Sequence, residues 1–225
     1  MEDYIILKQQ GYIIVNNVIS CQKIEYFKSE IAKNIQSDSL HGARHLHKII
    51  PAIYDLAYCS KIIDNLTIFF NAHFQLVRAL YFDKTSEANW SVAWHQDKTI
   101  AVKEKVNIPG FEPWSIKQGV IHVQPPVEIM ENMITVRIHL DDADTENGAL
   151  RVIPKSHMLG ILTPSQIRDI TANQEYVTCN VEAGDALIMS PLILHSSLKA
   201  KNPKHRRVIH LEYAFCELPE CLSWY

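Results

Sequence analysis

Two histidines and an aspartate of this chain have the residue types and the spacing of a metal-binding triad. His95 and Asp97 stand two residues apart in the segment Trp94–Asp97, and His195 follows far later in the chain. Two imidazoles and one carboxylate hold ferrous iron on one face and leave the opposite positions open for substrate and dioxygen. Because alternate side chains of a strand point to one side, His95 and Asp97 can reach one centre. Zinc accepts similar ligands, so the residue types alone do not select the metal.

A basic pair beyond the second histidine suggests an anion clamp. Arg206 and Arg207 stand eleven and twelve residues after His195. A guanidinium near the metal suits the far carboxylate of a dicarboxylic acid, which it holds through two parallel hydrogen bonds. Ser197, two residues past His195, can face the same side and donate a further hydrogen bond. The ordinary alternative is that Arg206 belongs to a solvated basic patch.

The other candidate clusters carry weaker signals. His41, His45 and His47 lie on a polar stretch without a carboxylate at ligand spacing, so we expect no metal site there. The five cysteines are scattered and form no Cys-x-x-Cys pair, which favours reduced thiols over a zinc site. No glycine-rich phosphate-binding motif occurs in the sequence.

The composition is that of an ordinary globular protein. Of 225 residues, 47% are hydrophobic and 21% are charged, and the net charge of -3 argues against a nucleic-acid partner. No apolar run approaches the roughly 18 residues of a membrane span, and the acidic N-terminus lacks the features of a signal peptide. We therefore expect one cytoplasmic domain, residues 1–225, that acts on a small molecule without a membrane or nucleic-acid partner.

Hydrophobic periodicity predicts a helical first third and a strand-rich remainder. Ser20 caps a predicted helix whose apolar face contains Ile24, Phe27, Ile31 and Ile35. Further helices are predicted at 52–58, 60–71 and from Pro164 onward. Strands are predicted at 12–15, 75–82, 134–140, 150–153, 176–181, 186–194 and 207–215. Many strands behind a helical flank indicate a mainly β fold, a double-sheet jelly roll with N-terminal helices on its outer face.

The long segment 98–133 fits no regular element. It contains four prolines together with Phe111 and Trp114, and a loop of this length in a compact domain is usually functional or disordered. We expect an ordered flap over the mouth of the site, with an ordinary surface excursion as the alternative. Candidate specificity residues in it are Lys103, Lys105, Trp114 and Lys117.

Three segments, in order, carry a resemblance to a known family. They are Trp94–Asp97, the run Asn147–His157 and His195 with its followers Ser197, Asn202 and Arg206. The sequence resembles the phytanoyl-CoA dioxygenase family of iron- and 2-oxoglutarate-dependent oxygenases from about Tyr12 to Tyr213. Lys155 stands where that family usually has glycine.

The resemblance implies a cupin-like double-stranded β-helix that binds Fe(II) through His95, Asp97 and His195. It also implies 2-oxoglutarate as cosubstrate, with its C5 carboxylate paired with Arg206 and assisted by Ser197. Arg207 takes this role if the register is off by one.

Two further pocket residues follow from the same resemblance. Arg137 stands where many relatives have tryptophan beside the cosubstrate, which makes it a candidate for binding 2-oxoglutarate or an acidic substrate. Lys84 is a weaker pocket candidate.

The reaction that the resemblance implies is hydroxylation of a C–H bond by dioxygen, with release of succinate and carbon dioxide. Asp97 favours hydroxylation over halogenation, because halogenating relatives replace this carboxylate with a small residue. A zinc-dependent hydrolase on the same barrel and a catalytically silent metal-binding scaffold are the alternatives.

Overall fold

The computed structural model describes residues 2–35, 42–70 and 73–225. Its helices are α1 Glu2–Gln10, α2 Cys21–Asn34, α3 Leu46–Ile49, α4 Ala52–Ala57, α5 Ser60–Phe70, α6 Val127–Glu131 and α7 Pro164–Asn173. Its strands are β1 Tyr12–Val15, β2 Gly42–Arg44, β3 Gln75–Lys84, β4 Val92–His95, β5 Ile100–Val102, β6 Trp114–Lys117, β7 Val120–Val123, β8 Met133–His139, β9 Leu150–Val152, β10 Val177–Thr178, β11 Ala186–Met189, β12 His195–Ser197 and β13 Arg206–Ala214. Among these described elements, no helix is long and apolar enough to cross a membrane.

The helix α2 forms where the sequence predicts it. The Ser20 hydroxyl accepts a hydrogen bond from the Lys23 N–H at 3.4 Å, which satisfies one of the free amide groups at the helix start. Ile24, Phe27 and Ile31 are buried on one face, against the main sheet. The predicted apolar face of this helix is therefore confirmed.

The other predicted helices are confirmed as well. Helices α4 and α5 occupy the predicted ranges 52–58 and 60–71, of which residue 71 lies outside the described residues. Helix α7 begins at Pro164, as expected. Ile35 is the residue that ends α2, and it is buried with the rest of the helix face.

The main sheet has six antiparallel strands in the order β1-β11-β8-β13-β3-β2. The neighbouring strands β3 and β13 present different side chains to the two faces of this sheet. Ala79 and Tyr81 of β3, with Ile209 and Leu211 of β13, pack against the helical layer. Most alternate positions of the two strands line an internal pocket, and they include the charged residues Arg78, Lys84, Arg206 and Glu212, because side chains two apart share a face of a strand.

The second sheet, β10-β9-β12-β4, lies across the pocket from the main sheet. An apolar cluster joins the two layers, with Leu187 and Met189 of the main sheet beside Leu150 and Val152 of the second sheet. Two antiparallel sheets with helices on one outer face confirm the predicted mainly β, jelly-roll fold class.

The predicted strand 186–194 is wrong beyond Met189. Strand β11 ends there, a turn follows at Pro191, and the chain crosses to the second sheet, where β12 begins at His195. Proline cannot donate to a strand ladder, so it ends the pairing. The crossing residues Leu192–Leu194 are fully buried, which explains why the apolar run imitates one continuous strand.

The predicted strand 176–181 is also shorter than expected. Only Val177–Thr178 pair with β9, and Val181 forms an isolated bridge with Ala143. The remaining residues of the prediction lie outside regular pairing.

The prediction that segment 98–133 lacks regular elements is wrong. It forms a small three-stranded sheet, β5-β7-β6, followed by helix α6. Strands of three or four residues are too short to show clear alternation in the sequence. Two residues of this segment, Thr99 and Lys117, line the pocket.

Replacement of a buried residue in the main sheet tests this account of the core. Ile138 of β8 is 0% exposed, whereas Ile116 of β6 is 74% exposed. We expect Ile138→Ala to lower the free energy of unfolding by about 2–5 kcal/mol, because it leaves a cavity. Ile116→Ala should change it by less than about 0.5 kcal/mol. Urea unfolding measures both, and equal losses would contradict the assigned core.

Candidate metal centre

The three predicted ligands meet at the edge of the second sheet. Strands β4 and β12 pair antiparallel, with His95 directly opposite His195. The Asp97 carboxylate lies 3.8 Å from His95 Nε2 and 3.6 Å from His195 Nε2. One ligand atom from each residue lies within 4.8 Å of the other two. The structure thus brings together all three residues that the sequence singles out.

The backbone fixes the orientation of both imidazoles. His95 Nδ1 lies 2.8 Å from the Ala93 carbonyl, and His195 Nδ1 lies 2.9 Å from the Ile193 carbonyl. A carbonyl only accepts, so each Nδ1 carries the proton and donates it. Each Nε2 therefore keeps its lone pair on the side of Asp97, which is the tautomer that a metal ion requires.

Asp97 is positioned by its backbone and by the preceding residue. Its N–H donates to the Pro191 carbonyl at 2.9 Å. The buried Gln96 amide donates to the carbonyls of Gly160 and Leu192 at 2.8 and 2.7 Å. The same amide accepts from the Leu162 N–H at 2.8 Å. Gln96 is therefore the buried anchor of the ligand segment.

The protonation states of the triad suit metal binding. Burial lowers the pKa of His195 to about 4 against the opposing effect of Asp97. Burial would raise the pKa of the Asp97 carboxyl, but His195 and nearby cationic groups outweigh it and hold that pKa well below its usual range. A neutral imidazole and an ionised carboxylate are the forms that bind a metal ion.

The triad opens into a cavity of about 230 Å³ between the two sheets. Its lining residues are Arg44, Arg78, Leu80, Phe82, Lys84, Trp90, Val92, His95, Asp97, Thr99, Lys117, Arg137, Leu150, His195, Ser197, Arg206, His210 and Glu212. Strand β3 contributes every second residue from Arg78 to Lys84, and these two cations mark opposite ends of the cavity.

One end of the cavity contains a buried guanidinium, two of whose nitrogen atoms have no partner among the described residues. Arg206 is 4% exposed, and its Nε and Nη1 atoms make no hydrogen bond within the described residues. Burial and the neighbouring Arg137 lower its pKa to about 10, so it stays charged at neutral pH. A buried charge without a partner is costly, so this position suits an anionic ligand.

Lys84 and Ser197 stand beside this arginine in the cavity lining. The Lys84 ammonium donates to Ser197 Oγ at 3.0 Å and to the Leu198 carbonyl at 2.6 Å. Burial, Arg206 and Arg137 lower its pKa to about 7. Gly148 permits this packing, since a Cβ there would lie 2.7 Å from the Leu198 carbonyl oxygen and its φ is +78°.

Arg207 does not share the position of Arg206. Its guanidinium forms a two-point ion pair with Asp141, with Nε–Oδ2 at 2.7 Å and Nη2–Oδ1 at 2.8 Å. It is absent from the cavity lining. Of the two arginines that the sequence left open, Arg206 is the one with free donors in the cavity.

Arg137 lines the cavity at the start of a buried hydrogen-bonded chain. Its Nη1 donates to His210 Nδ1 at 2.8 Å, and His210 Nε2 donates to Glu212 Oε1 at 3.0 Å. Glu212 also accepts from Arg78 Nη2 at 2.5 Å. Burial lowers the pKa of His210, which agrees with the neutral ring that this chain of hydrogen bonds requires.

Sequence reasoning missed Arg78, His210 and Glu212 as cavity residues. The available signal was the presence of Arg78, His210 and Glu212 inside otherwise apolar strand sequences, an even number of positions from Lys84 and Arg206.

Several other predicted positions stay outside the site. Of the four candidates in segment 98–133, Lys117 lines the cavity, whereas Lys103, Lys105 and Trp114 do not. His45 and His47 do not join the triad, and His41 lies outside the described residues.

This chain is similar to known proteins in sequence and in fold. It is 29% identical over 123 residues to the methylphosphonate hydroxylase of Gimesia maris, a match that covers 52% of this chain and only 46% of that protein. Its fold is similar to that of AviO1 from Streptomyces viridochromogenes, with 20% identity, a TM-score of 0.71 and coverage of 97% and 96% of the two chains.

A second structural neighbour was solved with bound ligands. HygX from Streptomyces hygroscopicus, solved with nickel and 2-oxoglutarate, shares 15% identity and a TM-score of 0.71, over 97% of this chain and 88% of its own. At these identities the two structural neighbours show the fold alone.

The family follows from a match along most of the sequence. The phytanoyl-CoA dioxygenase family matches residues 7–208, a range that includes the triad and Arg206. Enzymes of this family use Fe(II), 2-oxoglutarate and dioxygen, as the cofactor prediction stated. This chain therefore belongs to the phytanoyl-CoA dioxygenase family of Fe(II)- and 2-oxoglutarate-dependent oxygenases.

Proposed function

We propose that this protein hydroxylates a C–H bond of a small organic substrate in a reaction that depends on Fe(II) and 2-oxoglutarate. The observation that carries the proposal is the joint presence, in one cavity, of the triad and a buried guanidinium with free donors. A zinc hydrolase would have no use for that guanidinium, and a silent scaffold would have no need to bury it without a partner.

The residues fit the metal and the cosubstrate. His95, Asp97 and His195 would hold Fe(II) through two Nε2 atoms and a carboxylate oxygen, the donor set that ferrous oxygenases use. When bound together, Fe(II) and 2-oxoglutarate supply the activation of dioxygen for C–H oxidation, with release of succinate and carbon dioxide.

The other residues of the cavity bind and orient. Arg206 would hold the C5 carboxylate of 2-oxoglutarate, and the Ser197 hydroxyl would add a hydrogen bond. Lys84, which donates to Ser197, keeps that hydroxyl in place. Arg137 is fixed by its bond to His210, while its buried Nε has no partner within the described residues and can reach a ligand.

The volume of the cavity favours a small substrate. It measures about 230 Å³, below the roughly 300–1,000 Å³ of pockets for drug-sized ligands, and 2-oxoglutarate would occupy part of it. The name of the Gimesia maris relative provides one compound of suitable size for a first assay, methylphosphonate.

Removal of the triad tests the metal assignment. We expect His95→Ala and Asp97→Ala to lose Fe(II) binding, because each removes one of three ligands. They should also abolish the slow formation of succinate that the wild type shows with Fe(II), 2-oxoglutarate and ascorbate alone. Calorimetric Fe(II) titration under anaerobic conditions and a succinate assay measure the two effects.

An exposed histidine provides the control for these variants. His73→Ala should bind Fe(II) and form succinate as the wild type does, because His73 lies outside the cavity lining. Unchanged Fe(II) affinity in His95→Ala would contradict the metal assignment. Zinc retained at one ion per chain, without any 2-oxoglutarate binding, would support the hydrolase instead.

The neighbouring residues Arg206 and Arg207 provide a test variant and a matched control for 2-oxoglutarate binding. We expect Arg206→Gln to weaken 2-oxoglutarate binding roughly 10- to 100-fold, because the variant loses a hydrogen bond between charged groups. The affinity for Fe(II) should change little. Arg207→Gln should change 2-oxoglutarate affinity by less than twofold and lower the free energy of unfolding by about 1 kcal/mol, because it breaks the pair with Asp141. Calorimetry and urea unfolding separate the two, and equal effects on 2-oxoglutarate affinity would refute the assignment.

A further inference from the structure

The cavity carries more positive charge than the metal and cosubstrate can use. Six lining residues are lysine or arginine and two are carboxylates, a formal charge of +4, or +3 with Lys84 neutral. The two positive charges of Fe(II) and the two negative charges of 2-oxoglutarate cancel. The excess therefore remains in the loaded site, although the whole chain has a net charge of -3.

The excess lies partly at the end of the cavity away from Arg206. Lys84 and Arg78 are six residues apart on β3, so their Cα atoms lie about 20 Å apart along the strand. At the Arg78 end, β2 contributes Arg44, which pairs beside Leu80, and β6 contributes Lys117. We call these three cations, Arg44, Arg78 and Lys117, the distal cluster.

The distal cluster is only partly neutralised. Glu212 Oε1 accepts from both Arg78 and His210, so one carboxylate faces the three cations of the cluster. The Arg44 guanidinium makes no hydrogen bond or ion pair with the side chain of any described residue, and the Lys117 ammonium donates to Thr99 Oγ1 at 3.3 Å. Both side chains are half-buried. Burial and the neighbouring charge of Arg78 lower the pKa of Arg44 and of Lys117, against the opposing effect of Glu212.

Apolar and polar side chains both lie between the distal cluster and the Arg206 end. Leu80 and Phe82 stand between Arg78 and Lys84 on β3, and His210 and Arg137 of the next two strands are in register with Leu80. A ligand anchored at the distal cluster can therefore place its carbon atoms against Leu80, which pairs beside Arg44, within the cavity that the triad also lines. This arrangement holds a charged head group at one point and a C–H bond at another.

We propose that the substrate is a small anion whose carboxylate, phosphonate or similar acidic group binds Arg44 and Lys117, with Arg78 behind them. This inference rests on the proposed function, which it completes by naming the substrate class. Half-buried cations bind an anion more strongly than exposed ones, because the surrounding protein screens them less than water does.

Anion binding to the loaded protein tests this inference. The wild-type protein is kept anaerobic and saturated with Fe(II) and 2-oxoglutarate, so that the Arg206 end is occupied, and is titrated calorimetrically with inorganic sulfate. We expect Arg44→Gln and Lys117→Gln each to weaken sulfate binding at least about fivefold, and the double variant about 20-fold or more. The affinity for 2-oxoglutarate should change by less than twofold.

Two controls separate local from general effects. Lys199→Gln, which removes an exposed cation outside the cavity, should leave sulfate affinity unchanged. Arg44→Lys keeps the charge and should retain most of the affinity. Thermal unfolding of each variant identifies any that fails to fold, and Lys117→Gln, on the small sheet, then decides the question.

The other outcomes separate a failure of this inference from a failure of the proposed function. Normal 2-oxoglutarate binding with no sulfate binding, or with equal sulfate affinity in the variants, overturns this inference and leaves the proposed function standing. Weakened 2-oxoglutarate binding in the distal variants also overturns it, because the cosubstrate would then occupy that end. Absence of 2-oxoglutarate binding in the wild type overturns the proposed function and this inference with it.

Discussion

The pairing of β4 with β12 is the constraint on which the site depends. It sets His95 directly opposite His195. The Cβ atoms of directly opposite residues in antiparallel strands lie only about 4.5–5.5 Å apart. Side chains alternate along a strand, so a slip of one residue would turn one imidazole to the opposite face. The turn at Pro191 fixes this register, because its carbonyl also receives the N–H of Asp97. The ladder therefore positions the two histidines, and the turn at Pro191 positions the aspartate.

The same alternation distributes charge in the main sheet. One face of β3 and β13 packs against the helices with apolar residues, and the other carries the cations of the cavity. Buried cations destabilise a fold unless they are paired, and Glu212 accordingly binds Arg78. The guanidinium of Arg206 keeps free donors instead. The unpaired donors of Arg206 carry an electrostatic cost that an anionic ligand would relieve.

The sequence predicts the triad, the helices and most strand positions, since these depend on local spacing and on residue type. It fails where the decisive contact is distant. Leu192–Leu194 read as part of a strand because burial, and not pairing, makes them apolar. The partnership of Arg78 with Glu212 joins residues 134 positions apart, so no local pattern shows it. The choice between Arg206 and Arg207 likewise depends on Asp141, which only the folded chain brings to Arg207.

The buried amide of Gln96 ties the ligand segment to the stretch that contains Gly160 and Leu162, and to Leu192. Three separate parts of the backbone are therefore joined by one side chain next to Asp97. Insertions or deletions around Gly160 would be transmitted to the carboxylate, even though that loop touches no ligand. A redesign of the outer loops for a new substrate should therefore keep Gln96 and its three hydrogen bonds, and vary the small sheet instead.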